Sequence, residues 1–139
     1  MTGPFERARE ELAAGRSLAG AGFGTQAVAH AYTAGLQAAR GALMALGELP
    51  PTPVAVVAAY GRLVVGDDGV PHETGRVLRR LLELRLLTDE ALEDVPAERA
   101  SEVLDDAERL LDATEDWLLR RSAALPAPAG RDAAASRSS

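Results

Sequence analysis

Four groups of residues in this chain have types and spacing that could do chemistry. The first is Arg85, set among leucines in "LLELRLLTDEAL", where a guanidinium could hold a phosphate or the carboxylate of a partner chain. Asp89 follows four residues later, within reach of an intrahelical ion pair, so a structural reading of Arg85 stands beside the functional one. The second is a polar stripe, Gln26, His30, Thr33, Gln37 and Arg40, repeating at helical spacing through a segment otherwise rich in Ala and Leu. The third is an acidic row, Asp105, Glu108, Asp112 and Glu115. A di-metal bundle would need Glu-x-x-His on inward faces, and neither His30 nor His72 follows a Glu at that spacing. The row is therefore expected to be a solvated face and not a metal site. The fourth is the glycine-rich "GAGFG". Phosphate-binding loops of that kind follow a strand, and here a helical pattern precedes it, so a helix-to-helix turn is expected. No nucleophile elbow is present, which argues against Ser-His-Asp catalysis.

The elements that must position these groups all have helical periodicity. The 139 residues suit one domain, and 47% of them are hydrophobic while 4% are aromatic. The core must then be built from Leu, Val and Ala, and Ala and Leu are strong helix formers. Five helical segments are predicted: Pro4 to Leu18; a long one capped by Thr25 and ending near Leu46 and Gly47; Val54 to Val65; Glu73 to Leu87; and Ala97 to Arg121. The third contains a β-branched stretch, "PVAVVAAYGRLVVG", that would also suit a strand, but a lone strand would have no partner. In the second, Val28, Tyr32, Leu36, Ala39, Leu43 and Leu46 form an apolar face, and Ala27, Ala31, Ala34, Ala38 and Ala42 form a small-residue face that another helix can approach closely. In the fifth, Val103, Ala107, Leu110, Thr114, Trp117 and Leu118 make one dry seam. The fold class predicted is an all-α, up-and-down bundle of four to five helices over residues 1–122, followed by a disordered Pro/Ala/Ser-rich tail over 123–139.

Net charge is −6, so an anionic ligand must be met by a local basic patch. All 15 basic residues are Arg, which points to a GC-rich bacterial genome. There is no cysteine, hence no disulfide or thiolate chemistry. No apolar run is long enough for a membrane span, and the N-terminus lacks a signal core, so a cytoplasmic location is expected. On helical phase Arg85 shares the face of Leu78, Leu81 and Leu82, opposite Arg76, Arg79, Arg80 and Glu83, and a charge on an apolar face must be paired.

The stretch from Phe5 to Gly47 resembles the HEPN (higher eukaryotes and prokaryotes nucleotide-binding) domain family. Ala27, Val28, Ala31, Tyr32, Ala34, Ala38, Ala39 and Arg40 match the segment A-V-N-R-A-Y-Y-A-M-F-H-A-A-R of its small bacterial branch, and Leu84, Arg85 and Asp89 match an L-x-x-L-R-x-x-A-D-Y run. The resemblance covers about residues 5 to 120 and implies a dimeric bundle from a toxin–antitoxin or defence module. It also implies contact with RNA or nucleotide and a small nucleotidyltransferase as partner protein. Ribonuclease members of the family carry Arg-x(4–6)-His. Here the positions after Arg85 hold Glu90, Ala91 and Leu92, and no arginine in the chain has a histidine at that spacing. Thr33, Leu36 and Gln37 replace the second Tyr, the Phe and the His of the pattern, and Glu90 replaces the Tyr after Asp89. The resemblance thus implies a degenerate site with Arg85 as the candidate catalytic remnant. Its binding cleft comprises Arg85, Asp89, Arg40, His30, Gln37 and Tyr32, with no cofactor.

Overall fold

A computed structural model describes residues 3–91 and 95–124, without the side chains of 88–91. It contains five helices: α1 (Pro4–Gly20), α2 (Gly24–Ala45), α3 (Pro53–Leu63), α4 (His72–Ala91) and α5 (Ala97–Ala124). The all-α bundle read from periodicity is the observed fold. An isolated bridge between Val65 and Val70 is the sole strand-like pairing among the described residues. It follows the β-branched stretch, whose first part is helix α3, capped by the Thr52 hydroxyl accepting from the Ala55 N–H at 3.1 Å. Helix α5 continues to Ala124, so the first two residues assigned to a tail are helical; residues 125–139 lie outside the described part.

Helix α2 packs against all four others. Its five small-face alanines, Ala27, Ala31, Ala34, Ala38 and Ala42, are fully buried, and so are Val28, Ala39 and Leu43. Burying a methyl group needs less room than burying a leucine, so neighbouring helices can approach this face closely. Gly35 takes this further. A Cβ there would stand 2.8 Å from Leu81 Cδ1 and 3.0 Å from Leu110 Cδ2, so α4 and α5 both press on this turn of α2. Contacts of Pro4 and Phe5 with Gly41, and of Glu11 with His30, make α1 antiparallel to α2. Helix α5 runs parallel to α2, because Gly24 meets Val95 and Gly35 meets Leu110.

The start of α2 differs from the expected one. The helix begins at Gly24, with Phe23 at its cap position and no side-chain cap. Thr25 is inside the first turn, where its hydroxyl accepts from the Val95 N–H at 3.1 Å. A Cβ on Gly24 would lie 1.9 Å from the Val95 carbonyl oxygen. The glycine-rich turn therefore has a packing role: it lets the entry to α5 lie against the beginning of α2. At the other end, Gly47 terminates α2 as expected, at φ +78°.

One hydrogen-bonded chain crosses the core. Tyr60 and Thr114 are fully buried with their hydroxyls 2.7 Å apart, and the Thr114 hydroxyl donates to the Leu110 carbonyl at 2.6 Å. With Thr114's proton committed to that carbonyl, Tyr60 is the donor to Thr114. The pair secures the short α3 to α5 through side chains. On the opposite side of the bundle, Arg9 bonds Asp112 (3.2 Å) and Glu115 (2.6 Å), and Arg16 bonds Asp105 (3.1 Å) and Glu108 (2.5 Å). The acidic row is thus not merely solvated, as expected from sequence: each pair of carboxylates clamps one α1 arginine. These groups are largely exposed, and each contact contributes roughly 0.2–1 kcal/mol.

Two consequences can be measured. Gly24→Ala should lower stability by about 2 kcal/mol, seen as a fall in Tm, because the added methyl meets backbone and not a flexible side chain. Burial pushes the Tyr60 hydroxyl up to about 12, with the Thr114 bond partly opposing. An unfolded tyrosine ionises near 10, so between about pH 10 and 12 the unfolded chain releases a proton that the folded chain keeps. Stability should therefore fall as pH rises through that window, and Tyr60→Phe should remove most of the fall in urea titrations at alkaline pH.

Candidate functional site

The expected cleft residues Tyr32 and Arg85 stand on α2 and α4, which pack against each other. Leu78 and Leu81 are buried against Gly35, and Arg85 is one to two turns further along α4 on the same side. Its side chain is half-buried, as its phase predicted. Tyr32 projects from α2 at this level and is also half-buried. Burial raises the pKa of its phenol, while the guanidinium groups of Arg40 and Arg85 both act electrostatically in the opposite direction and favour the phenolate. Arg40 is on the exposed side of α2, two turns beyond Tyr32. Arg40 and Arg85 therefore both lie near enough to Tyr32 for their charges to favour its phenolate, on helices that pack against one another. Chemically this arrangement can accept an anionic group such as a phosphate, with the phenol available as a hydrogen-bond donor.

The other expected members are placed differently. His30 lies on the α1 flank of α2, where Nδ1 is 2.6 Å from Glu11 Oε1. With the carboxylate accepting from Nδ1, Nε2 of a neutral ring is the acceptor. The pair is about one-third exposed, His30 at 35% and Glu11 at 31% of their side chains. The polar stripe that looked continuous in sequence is in fact divided. Its His30 end is engaged by α1, and its Arg40 end is exposed. Gln37 is partly buried, and its Oε1 is enclosed without a hydrogen-bond partner among the described residues. The side chain of Asp89 lies outside the described part, so the expected Arg85–Asp89 pair does too. His72, expected in a loop or at a helix start, is the first residue of α4.

Glu11 was not singled out by its sequence. Its signal was its place beside the buried seam Ala8, Leu12, Gly15 and Ala19, three residues from the first of these. A carboxylate bordering an apolar seam sits where a neighbouring helix can reach it. The α1–α5 clamp had a clearer signal. Arg9 and Arg16 are seven apart, and so are Asp105 and Asp112, and Glu108 and Glu115. Matched seven-residue periods of opposite charge on two helices are what an antiparallel ladder requires.

Among the described residues, no group of three or more His, Asp or Glu side chains could hold a metal ion, and no helix is long and apolar enough to cross a membrane. The family model of the HEPN domain matches residues 4–117. No curated protein matches the chain.

The geometry around Tyr32 can be read by titration. In a Tyr60→Phe background Tyr32 is the sole tyrosine. Arg85→Met and Arg40→Met should each shift its ionisation upward, because each removes a cation that favours the phenolate. Near-ultraviolet absorbance against pH would show this, and an unchanged curve in both variants would place the arginines elsewhere.

Proposed function

Because the chain belongs to the HEPN family, we propose that it is a non-catalytic member of a bacterial toxin–antitoxin or defence module. In this reading it works in the cytoplasm as a homodimer, with a small nucleotidyltransferase as its partner protein. Its cleft contacts the phosphates of RNA or a nucleotide through Arg85 and Arg40, with Tyr32 between them. The observation that carries this reading is Arg85, half-buried on the leucine side of α4, whose charge and that of Arg40 both reach the half-buried Tyr32 in a chain of net charge −6. Against an acidic background such a patch gives an anion a defined place to bind. The absence of a histidine five to seven residues beyond any arginine supports the non-catalytic part. A ribonuclease of this type needs a base near the 2′-hydroxyl and a cation on the phosphate, and the cation is the half that this sequence keeps.

A second reading is supported by the Glu11–His30 contact at 2.6 Å. A carboxylate that fixes one ring nitrogen leaves the other as a base, and an endoribonuclease using a non-standard base would require such a pair. A third reading, a plain dimerisation module, needs neither ligand nor chemistry.

These readings separate in one set of measurements. Arg85→Ala and Arg40→Ala should each weaken binding of a fluorescent RNA oligonucleotide about tenfold at moderate salt, with a shallower salt dependence, while Arg109→Ala on α5 leaves it unchanged. An Arg85→Ala protein that keeps its helicity and its RNA affinity would sink the phosphate-contact reading. RNA left intact by the wild type supports the non-catalytic assignment, whereas cleavage lost on His30→Ala favours the second reading.

A further inference from the structure

We infer that the apolar trough beside α3 is the seat of the chain's own segment Leu125 to Asp132, which follows directly on α5. Among the described residues eight large apolar side chains are exposed, and four of them, Met44, Leu49, Val54 and Leu63, fall on one stretch from the end of α2 through α3. Leu49 is 77% exposed and Val54 65%. Exposed apolar side chains gathered in this way mark a surface that another segment covers. Helix α3 has a single charged residue, Arg62, among its 11. The other outer faces differ in kind: α1 and α5 are tied by the Arg9 and Arg16 clamps, and on α4 Glu73 pairs with Arg76 and Arg80. Beside α3 the surface is hollowed by about 320 Å³, against Leu49, Pro50, Ala55, Ala58 and Ala59. Two charged residues, Glu48 and Arg62, complete this lining, and neither has an ion-pair partner among the described residues.

Position, reach and chemistry select the occupant. Helix α5 ends at Ala124, which lines a depression together with Asp68 and Trp117. Asp68 belongs to the turn that follows α3, so the segment departs from the side of the bundle where α3 ends. The seven residues from Ala124 to Arg131 reach up to about 24 Å, and α3 is about 16 Å long. The segment reads "LPAPAGRD": six uncharged, apolar or small residues, then Arg131 and Asp132. An uncharged run suits the uncharged part of the lining, and Arg131 suits the free carboxylate of Glu48. Pro126 and Pro128 bring no N–H to be left unsatisfied on an apolar surface, and their fixed φ lowers the entropy lost on seating. Tethering also decides between occupants. A segment joined to α5 is held at an effective concentration on the order of millimolar, so a contact too weak to retain a free peptide retains this one. A separate partner must first displace it.

The chain contains no cysteine, so Ala129→Cys carries a nitroxide spin label at one defined place in the full chain. In amide NMR spectra the signals of Leu49, Ala55, Ala58 and Arg62 should lose more than half their intensity relative to the reduced label, while Ser101, near the start of α5, keeps its own. Ala58→Arg, at an exposed position of α3, fills the trough and should abolish the effect. Glu48→Arg should weaken it at least twofold, and adding Arg131→Glu should restore it. Trough signals that keep their intensity, or that fall no more than Ser101, overturn the seat and leave the face to a separate partner. A Glu48→Arg chain that shows the full effect overturns the charge match on which this occupant rests. Isotope-labelled chain without the cysteine, mixed with spin-labelled chain of natural isotope content, should show no loss. Loss at the trough in that mixture overturns the intramolecular seat and assigns the face to a second copy.

Discussion

Everything in this bundle depends on how closely other helices can approach α2. Five alanines at successive turns, with Gly35 among them, present a face with almost no side-chain volume. Dispersion contacts grow steeply with proximity, so a small-residue face gains cohesion from backbone-to-neighbour packing where a leucine face gains it from interdigitation. Such a face also costs little side-chain entropy to order. The larger residues needed to complete the core come from the partners: Leu78 and Leu81 on α4, Leu104, Leu110 and Leu111 on α5, and Tyr60 on α3. The division of labour is clear, with one thin central helix and bulk supplied from outside. It also fixes where Arg85 stands, because the two leucines that seat α4 on Gly35 are on the same side of that helix as the arginine.

The sequence revealed the helices and their buried faces well, for a physical reason. Periodicity is a local property, and Ala27, Ala31, Ala34, Ala38 and Ala42 announce their common face without reference to any other segment. The same holds for the seam from Val103 to Trp117. What needed a second segment was not legible. Thr25 looks like a cap because it precedes an apolar run, but its hydroxyl is taken by Val95, seventy residues away. The acidic row on α5 looks solvated until Arg9 and Arg16 are placed opposite it.

The candidate site shows the same limit at finer scale. Arg85 was legible because an arginine in phase with leucines is an anomaly that a single helix can display. Its neighbourhood with Tyr32 and Arg40 required knowing which side of α2 faces α4. The polar stripe could not be resolved into its two halves from spacing alone, since His30, Gln37 and Arg40 share a helical phase to within a fraction of a turn. The division depends on the position of α1, and specifically on Glu11. That residue also changes the meaning of the histidine, from a lone polar side chain to an oriented one.

The joint at Val95 has a consequence for how the chain finds its fold. Helices α1 and α2 can pair through a three-residue turn, at little entropic cost. The tie from Thr25 to Val95 closes a loop spanning half the molecule, at a larger entropic cost than that short turn. Because Gly24 admits the Val95 carbonyl with no room to spare, this closure tolerates one register and no neighbouring one. The glycine thus acts as a gauge of fit: the entry to α5 can lie this close to α2 because that position carries no side chain.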